Sequence, residues 1–161
     1  MLFTYQFLIL FFTILSTSFA KLYPIQLYVD SNNKTIDDHG LQTYQETNNV
    51  YWFFLNNQQA RRLIYDDNTR RIYWQDNSQR RFFFKLSNNV LLTSPGDGTR
   101  IYIDYKTYRL SFNQDNRLYA VKNVGDPQNI SRTRYAIKYY ATNNQVPRDA
   151  IKINYLYAKF I

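Results

Sequence analysis

The stretch RRLIYDDNTRRIYWQDNSQRRFFFKL (residues 61–86) repeats one pattern three times. Each repeat starts with an Arg-Arg pair and continues as an apolar or aromatic run, and turns rich in Asp and Asn separate the runs. β-Branched and aromatic side chains fit the pleated surface of a sheet, whereas Asp and Asn tolerate turn geometry. The pattern therefore predicts three short strands joined by tight turns. The pairs are Arg61-Arg62, Arg70-Arg71 and Arg80-Arg81.

Strand-like runs continue on both sides of this stretch. Residues 25–30 (IQLYVD) alternate between apolar and polar side chains, as a half-buried strand does, and residues 50–55 (VYWFFL) are apolar throughout. Residues 81–86 place Phe82, Phe84 and Leu86 on an inward face. Further strands are predicted at residues 89–93, 101–105, 108–112, 117–121, 135–140 and 150–160, with a polar loop at 31–40 and a poorly patterned piece to residue 49. No run of ten or more residues has helical periodicity, so the sequence predicts an all-β fold.

A longer repeat lies on top of the short one. Residues 61–86 can be laid over TRIYIDYKTYRLSFNQDNRLYAVKN (residues 99–123), with Asp67 over Asp104 and the two Gln-Asp-Asn turns in register. A repeat of about forty residues with about a dozen strands predicts a short-stranded, β-trefoil-like barrel, in which three four-stranded units close around one axis. A β-sandwich or an open meander is the alternative.

The first twenty residues have the pattern of a signal peptide. Residues 7–15 (FLILFFTIL) form an apolar run too short to span a membrane, and small side chains precede a cleavage point after Ala20. The start, MLFTYQ, departs from the pattern because it has no Lys or Arg, and a buried strand or an uncleaved anchor is the alternative. We expect a signal peptide at residues 1–20, a single all-β domain at residues 21–161, no transmembrane segment and no lipid-anchor signal.

Composition limits the chemistry and the partners. The chain has no cysteine, which excludes thiol catalysis, disulfide exchange and cysteine–zinc sites. A secreted domain of this kind has to be held together by packing alone. Its 20 basic and 12 acidic residues give a net charge of +8. This excess favours anionic partners such as an acidic or phosphorylated polysaccharide, an anionic membrane or nucleic acid.

The segment YRLSFNQDNRLYAVKN (residues 108–123) combines a strand, an Asp/Asn turn and a Tyr-Ala-Val strand. Units of this form resemble the β-rich N-terminal module of yeast GPI-linked cell-wall mannoproteins, and the resemblance covers residues 81–123 and the signal peptide. The chain departs from that family in its basic charge and in having no Ser/Thr-rich stalk or anchor signal. The resemblance implies a wall-associated, non-enzymatic protein, and it implies nothing about covalent attachment.

The sequence contains few residues of the types that catalyse reactions. His39 is the only histidine and Glu46 the only glutamate, so a two-histidine ribonuclease mechanism is excluded. The run Asp37-Asp38-His39 is either a weak metal or acid–base cluster or, as we favour, a solvated turn. A glycosidase needs two carboxyl groups about 5–10 Å apart, one with a raised pKa. Most aspartates here lie in Asn-rich turns, and Asp104 is expected to face solvent and pair with an arginine. We predict no catalytic residue, no metal and no cofactor.

The arginine pairs admit three interpretations. They can begin strands and pair with turn aspartates on a solvated face, they can be cut by a dibasic-specific protease, or they can belong to a basic, aromatic face that binds glycan or nucleic acid. The third interpretation predicts an anion-binding surface on the outward side of the strands. Its residues are Arg71, Tyr73, Arg81, Phe83, Lys85 and Arg109.

Two glycosylation sequons begin at Asn33 and Asn129, both in predicted loops. Together with the signal peptide they favour a secreted glycoprotein. We expect a non-enzymatic protein of a cell wall or extracellular matrix that binds an anionic polysaccharide, with nucleic acid not excluded as a partner. The alternatives are a small secreted hydrolase that uses aspartates, and a secreted toxin or effector.

Overall fold

The computed structural model of the protein describes residues 20–161. The apolar run at residues 7–15, and all of the predicted signal peptide except Ala20, lie outside the described residues. No helix among residues 20–161 has the length and hydropathy needed to cross a membrane.

The regular structure of the described residues consists of antiparallel strands and three single turns of 3-10 helix, at Asp115–Arg117, Ile130–Arg132 and Asn143–Gln145. The prediction of an all-β fold is confirmed. The strands are β1 (Leu22–Asp30), β2 (Gly40–Thr47), β3 (Val50–Asn56), β4 (Leu63–Asp66), β5 (Arg71–Gln75), β6 (Arg81–Ser87), β7 (Val90–Ser94), β8 (Tyr102–Ile103), β9 (Leu110–Ser111), β10 (Leu118–Val121), β11 (Ala136–Tyr139), β12 (Ile151–Lys152) and β13 (Tyr155–Phe160).

Strand pairing runs in a ring. β1 pairs with β4 and β13, β4 pairs with β5, and β8 pairs with β9. The two remaining links are single contacts: the Ile101 N–H donates to the Arg70 carbonyl at 2.7 Å, and Arg109 forms an isolated bridge with Tyr157. Because these links are so short, β8 and β9 form a separate two-stranded ladder beside an eleven-stranded sheet.

Three hairpins, β2–β3, β6–β7 and β10–β11, meet one another pairwise. The contacts pair Trp52 with Leu92, Val90 with Lys138, and Phe54 with Ala136. The eleven-stranded antiparallel sheet fits the β-sandwich or meander alternative, and closure into a trefoil-like barrel stays a prediction. In such a barrel the two copies of the long repeat would hold corresponding places, since β4, β5 and β6 correspond to β8, β9 and β10.

The core is aromatic and follows the predicted alternation. Phe82 and Phe84 of β6 are fully buried, while Arg81 is exposed and Phe83 is half-buried. The Phe82 ring stacks on Trp74 with 4.3 Å between centroids, and Phe84 contacts Phe53 at 5.6 Å. On β1, the three apolar side chains of the predicted inward face, Ile25, Leu27 and Val29, are likewise fully buried.

Two segments differ from the prediction. The poorly patterned piece before residue 49 is strand β2, which the sequence hides because Gln, Thr and the buried Glu46 occupy it. The predicted strand at residues 150–160 is two strands, β12 and β13. The chain changes partner between them, because the Ile153 N–H donates to Leu118 and the Asn154 N–H donates to Asp30.

Candidate functional site

Only some residues of the predicted basic, aromatic face are exposed to solvent. Tyr73 lies opposite Phe83 across β5 and β6, with 5.5 Å between ring centroids, and the Arg81 guanidinium lies 4.7 Å from the Tyr73 centroid. These two neighbours leave Tyr73 only 2% exposed. The prediction that Tyr73 offers a free stacking surface is wrong, because the long side chains of β6 cover it.

The cations of that face are divided among local partners. Lys85 Nζ donates to the Pro95 carbonyl at 3.0 Å, and its partial burial lowers the pKa of Lys85. Arg71 Nε donates to the Gly98 carbonyl at 3.3 Å. Arg109 belongs to the β8–β9 connection, where its guanidinium lies 5.1 Å from the Tyr155 centroid. Arg109 therefore belongs to a different element from the other five residues, which lie on the neighbouring strands β5 and β6.

Arg71 is one of the residues that line a concave, basic cavity. The cavity has a volume of about 630 Å³ and is lined by seven residues, of which four are cationic and one is acidic. We call this site the cationic basin. Its residues are Lys21, Asp67, Asn68, Thr69, Arg70, Arg71 and Arg100.

The β4–β5 turn builds one wall of the cationic basin. The Asp66 carboxylate accepts the N–H groups of Asn68 and Thr69, at 3.0 and 3.1 Å, which closes the turn as Asp is well suited to do. Arg70 then takes a left-handed backbone conformation with φ of 56°, and Arg71 begins β5 directly opposite Asp66. The DDNT sequence thus turns two successive arginines towards the cavity.

Long-range backbone bonds bring in the other two cations. The Thr99 N–H donates to the Phe84 carbonyl and the Ile101 N–H to the Arg70 carbonyl, so the residue between them, Arg100, is fixed beside the turn. On the opposite side, the Asp67 N–H donates to the Lys21 carbonyl at 3.1 Å. The sequence gives no indication of this meeting, because the partners come from segments far apart in the chain.

The electrostatics of the cationic basin favour an anion. Its four positive side chains face a single carboxylate, Asp67, across a cavity that is open to solvent. Arg71 is further tied to the exposed Asp97, with 3.7 Å between the charged groups. Clefts lined by one sign of charge raise the local concentration of the opposite ion. Guanidinium groups also bind oxyanions with paired N–H donors.

The Asp37-Asp38-His39 run behaves as a turn. Asp37 accepts the Ser31 N–H and pairs with Lys34 at 3.0 Å, and these contacts lower its pKa. Asp38 binds the Tyr157 hydroxyl and pairs with Lys159 at 2.9 Å. Both carboxylates therefore already have partners. Among residues 20–161, no three His, Cys, Asp or Glu side chains are grouped so that they could hold a metal ion.

Asp104 is also a turn residue, and not the mid-strand partner of an arginine that the sequence predicts. Its carboxylate accepts the Lys106 N–H at 2.9 Å and the Thr107 hydroxyl at 2.8 Å. These bonds lower the pKa of Asp104. The side chain therefore closes the connection between β8 and β9.

The carboxyl pair that sequence analysis missed is Glu46 and Asp126, which are 1% and 3% exposed. Burial raises the pKa of Glu46 to about 7, and the neighbouring Asp126 carboxylate adds to the rise. Burial alone would raise the pKa of Asp126, but hydrogen bonds from Ser131 and from the Ile130 N–H outweigh it and lower that pKa. The one available sign was that Glu46 is the sole glutamate in an otherwise unpatterned segment.

The two sequon asparagines, Asn33 and Asn129, are exposed. Asn33 Oδ1 accepts the Thr35 N–H at 2.9 Å, and Asn129 has a left-handed backbone with φ of 55°. Ser131, the hydroxyl residue of the second sequon, is 1% exposed and bonded to Asp126. Glycosylation at these positions stays a prediction.

No known protein family, curated protein or solved structure compared with this chain matches it. The resemblance to the mannoprotein module accordingly stays a prediction that rests on the quoted residues.

Proposed function

We propose that this protein is a secreted, non-enzymatic component of a cell wall or extracellular matrix that binds an anionic polysaccharide in the cationic basin. The observation that carries the proposal is the convergence of Lys21, Arg70, Arg71 and Arg100 on one cavity. This site replaces the face that the sequence predicted, and Arg71 is common to both.

The size and lining of the cationic basin support a hydrated, charged ligand. Its volume of about 630 Å³ lies within the range of ligand sites generally. Its lining residues are all charged or polar, whereas a pocket for an uncharged drug-sized molecule is mostly apolar. A polysaccharide bearing phosphate, sulfate or carboxylate groups supplies both the hydroxyls and the negative charge that such a lining can bind.

The predicted signal cleavage would strengthen the same site. Lys21 lines the cationic basin, and its carbonyl accepts the Asp67 N–H. Cleavage after Ala20 would leave the new α-ammonium group on Lys21, which adds a positive charge to the four side chains already there. N-terminal sequencing of the protein recovered from medium or cell wall should therefore begin at Lys21.

Retention on heparin and phosphomannan resins, measured against NaCl concentration, tests the proposal. Electrostatic binding weakens steeply as salt rises, so wild type should elute at a defined NaCl concentration. Arg70→Gln and Arg100→Gln should each lower that concentration, and the double variant should lower it further. The matched control is Arg148→Gln, which removes one exposed arginine that does not line the basin. Equal elution of Arg100→Gln and Arg148→Gln would contradict the proposal, as would retention that does not depend on salt.

The hydrolase alternative has one observation in its favour, the carboxyl pair of Glu46 and Asp126 with pKa values driven apart. Both side chains are almost completely buried, and the Gln128 N–H donates a hydrogen bond to Glu46 Oε2 at 2.8 Å. A substrate would have to displace the loop that carries Gln128. Turnover of glycan or nucleic acid by wild type, abolished by Glu46→Gln, would favour the hydrolase over binding alone.

A further inference from the structure

The most exposed large apolar side chains of the described residues lie in β8 and the β8–β9 connection, at the start of β1 and after β13. Tyr102 of β8 is 54% exposed, and Tyr105 and Tyr108 of the β8–β9 connection are 50 and 47% exposed. Leu22 at the start of β1 is 50% exposed, and Ile161 after β13 is 54% exposed. Single exposed apolar residues are ordinary on protein surfaces, but a contiguous group marks an interaction site.

The Phe160 ring contacts three tyrosine rings. Ring centroids lie 5.6 Å from it for Tyr23, 6.0 Å for Tyr105 and 5.7 Å for Tyr108, while Tyr23 and Tyr105 are 6.3 Å apart. We call these four residues the tyrosine cluster. Because the rings hold one another, Tyr105 and Tyr108 are orientated before a ligand arrives, which reduces the entropy lost on binding.

Tyr108 has an unfavourable backbone conformation. Its φ of 58° lies in the left-handed region, which bulky side chains rarely adopt. The Asp104 carbonyl holds it there by accepting the Tyr108 N–H at 2.6 Å, and the Tyr108 carbonyl accepts the Ala158 N–H at 2.9 Å. Glycine or asparagine would suit this backbone better. Strained positions of this kind concentrate at functional sites, so an aromatic residue here points to a use for the exposed ring.

The cationic basin contacts two tyrosines outside the tyrosine cluster, Tyr102 and Tyr65, and Tyr65 lies opposite Tyr23 of the cluster across β1 and β4. The guanidinium of Arg70, which lines the basin, lies 4.2 Å from the Tyr102 centroid. Asp67, also in the basin lining, accepts the Tyr65 hydroxyl at 3.4 Å. Burial raises the pKa of Tyr105 to about 12, and the charge of the Asp67 carboxylate adds to the rise. A ligand wider than one charged group would therefore reach from the basin onto the tyrosine rings.

We propose that the tyrosine cluster is a sugar-stacking subsite, on which a pyranose ring lies against Tyr105 and Tyr108 while a charged substituent of the same chain occupies the cationic basin. The inference rests on the proposed function, because it takes the basin as the anion site. Tyrosine suits this role, since its ring packs on the apolar C–H face of a sugar and its hydroxyl bonds to the sugar's hydroxyl groups. A ligand with negative charge and no rings would use the basin alone.

The test compares heparin, which has sugar rings, with inorganic polyphosphate, which has none, using the full mature chain. Tyr105→Ser/Tyr108→Ser should weaken heparin binding about three- to tenfold, the range of a stacking contact, and leave polyphosphate affinity unchanged. Tyr105→Phe/Tyr108→Phe should retain most of the heparin affinity. Tyr119→Ser, at a half-buried tyrosine of β10, is the matched control. Arg100→Gln should weaken binding of both ligands.

A measurement on wild type keeps the test decisive if the serine variant does not fold. NMR signals of the Tyr105 and Tyr108 rings should shift when a heparin fragment is added and should not shift with polyphosphate. Unchanged heparin affinity in the serine variant, with both ligands still weakened by Arg100→Gln, would overturn the subsite and leave the proposed function standing. No effect of any variant on either ligand would overturn both. If the double serine variant lost binding to phosphatidylserine vesicles but kept its heparin affinity, the sugar-stacking subsite would be overturned in favour of a membrane-binding surface.

Discussion

Glu46 and Asp126 are neighbouring buried carboxyl groups that join strand β2 to the loop between β10 and β11. Gln128 completes the junction: its N–H donates to Glu46 Oε2 at 2.8 Å, and its side-chain amide donates to the Glu46 carbonyl at 3.3 Å. Glu46 Oε1 is buried and receives no hydrogen bond from residues 20–161. A protonated Glu46 resolves this, because the acid carries its own donor and Asp126 supplies an acceptor.

Stability should therefore depend on pH through Glu46. Its folded-state pKa, about 7, is above its ordinary value of 4.5, so the native protein keeps a proton that the unfolded chain releases. Its contribution to the free energy of unfolding is greatest below about pH 4.5, falls between pH 4.5 and 7, and stays low above pH 7. Glu46→Gln offers a neutral donor at every pH. At pH 8 the variant should be the more stable protein, by up to about 3 kcal/mol.

Urea denaturation of wild type and Glu46→Gln at a series of pH values measures this difference. Other carboxylates contribute to both curves, so the informative quantity is the difference between the two proteins. Asp149→Asn, which removes an exposed carboxylate, is the control and should leave the difference from wild type constant. If the two unfolding free energies run parallel from pH 4.5 to 8, Glu46 is not protonated in the fold.

Phe84 and Phe83 are adjacent in β6 and should differ sharply in their contribution to stability. Phe84 is fully buried and contacts Phe53 and Phe112, with centroids 5.6 and 5.5 Å away. Phe84→Ala should lower the free energy of unfolding by about 3–5 kcal/mol, the usual range for a buried aromatic. Phe83→Ala should lower it by about 1–2 kcal/mol, because Phe83 is only half-buried. Similar losses in the two variants would mean that the assigned faces of β6 are wrong.

Gly40, where β2 begins, has no room for a side chain. A Cβ there would lie 2.7 Å from the Ala60 Cβ and 3.0 Å from both the Ala60 Cα and the Gln59 carbonyl oxygen. Gly40→Ala should cost about 1–3 kcal/mol of stability through this overlap. The double variant Gly40→Ala/Ala60→Gly should recover only part of the loss, since the Ala60 Cβ is removed and the backbone atoms stay. Additive losses in a thermal or urea double-mutant cycle would contradict the close approach.

The first arginine pair should behave asymmetrically. The Arg61 guanidinium lies 3.9 Å from the Trp74 ring centroid, and burial lowers the pKa of Arg61, whereas Arg62 is exposed. Arg61→Ala should lower the free energy of unfolding by about 1 kcal/mol or more through lost cation–π contact and lost packing. Arg62→Ala should change it by less than about 0.5 kcal/mol. Tryptophan fluorescence during urea denaturation reports both, and equal effects would exclude the stacking.

The sequence predicted local structure well wherever one face of a strand is apolar and the other is polar. The alternation in β1 and β6 is of this kind, and both face assignments are confirmed. The sequence did not predict which side chains are buried where residues from other strands or loops cover them. Tyr73 has the position of an outward residue, but Phe83 and Arg81 cover it. Strand β2 was missed because its buried Glu46 accepts a hydrogen bond from Gln128, in the loop at residues 125–134, and no local sequence pattern indicates this distant contact.

The candidate site shows the same division. Its β4–β5 turn was predicted from the DDNT sequence, since Asp66 accepts two backbone N–H groups of its own turn. The cavity itself was not, because Lys21 and Arg100 reach it only through backbone bonds to Asp67 and Arg70. The tyrosine cluster was also hidden, since its rings belong to β1, to β13 and to the connection between β8 and β9.

By itself, the sequence determined that this protein is built of strands, which side chains of β1 and β6 point inward, that thiol chemistry is absent and that the protein carries excess positive charge. These properties follow from residue type and from a period of two, both of which are local. The tertiary structure decided which of the many arginines and tyrosines stand together. Backbone bonds between segments distant in the chain bring Lys21, Arg70 and Arg100 to one cavity, and such pairing depends on the register of the whole sheet.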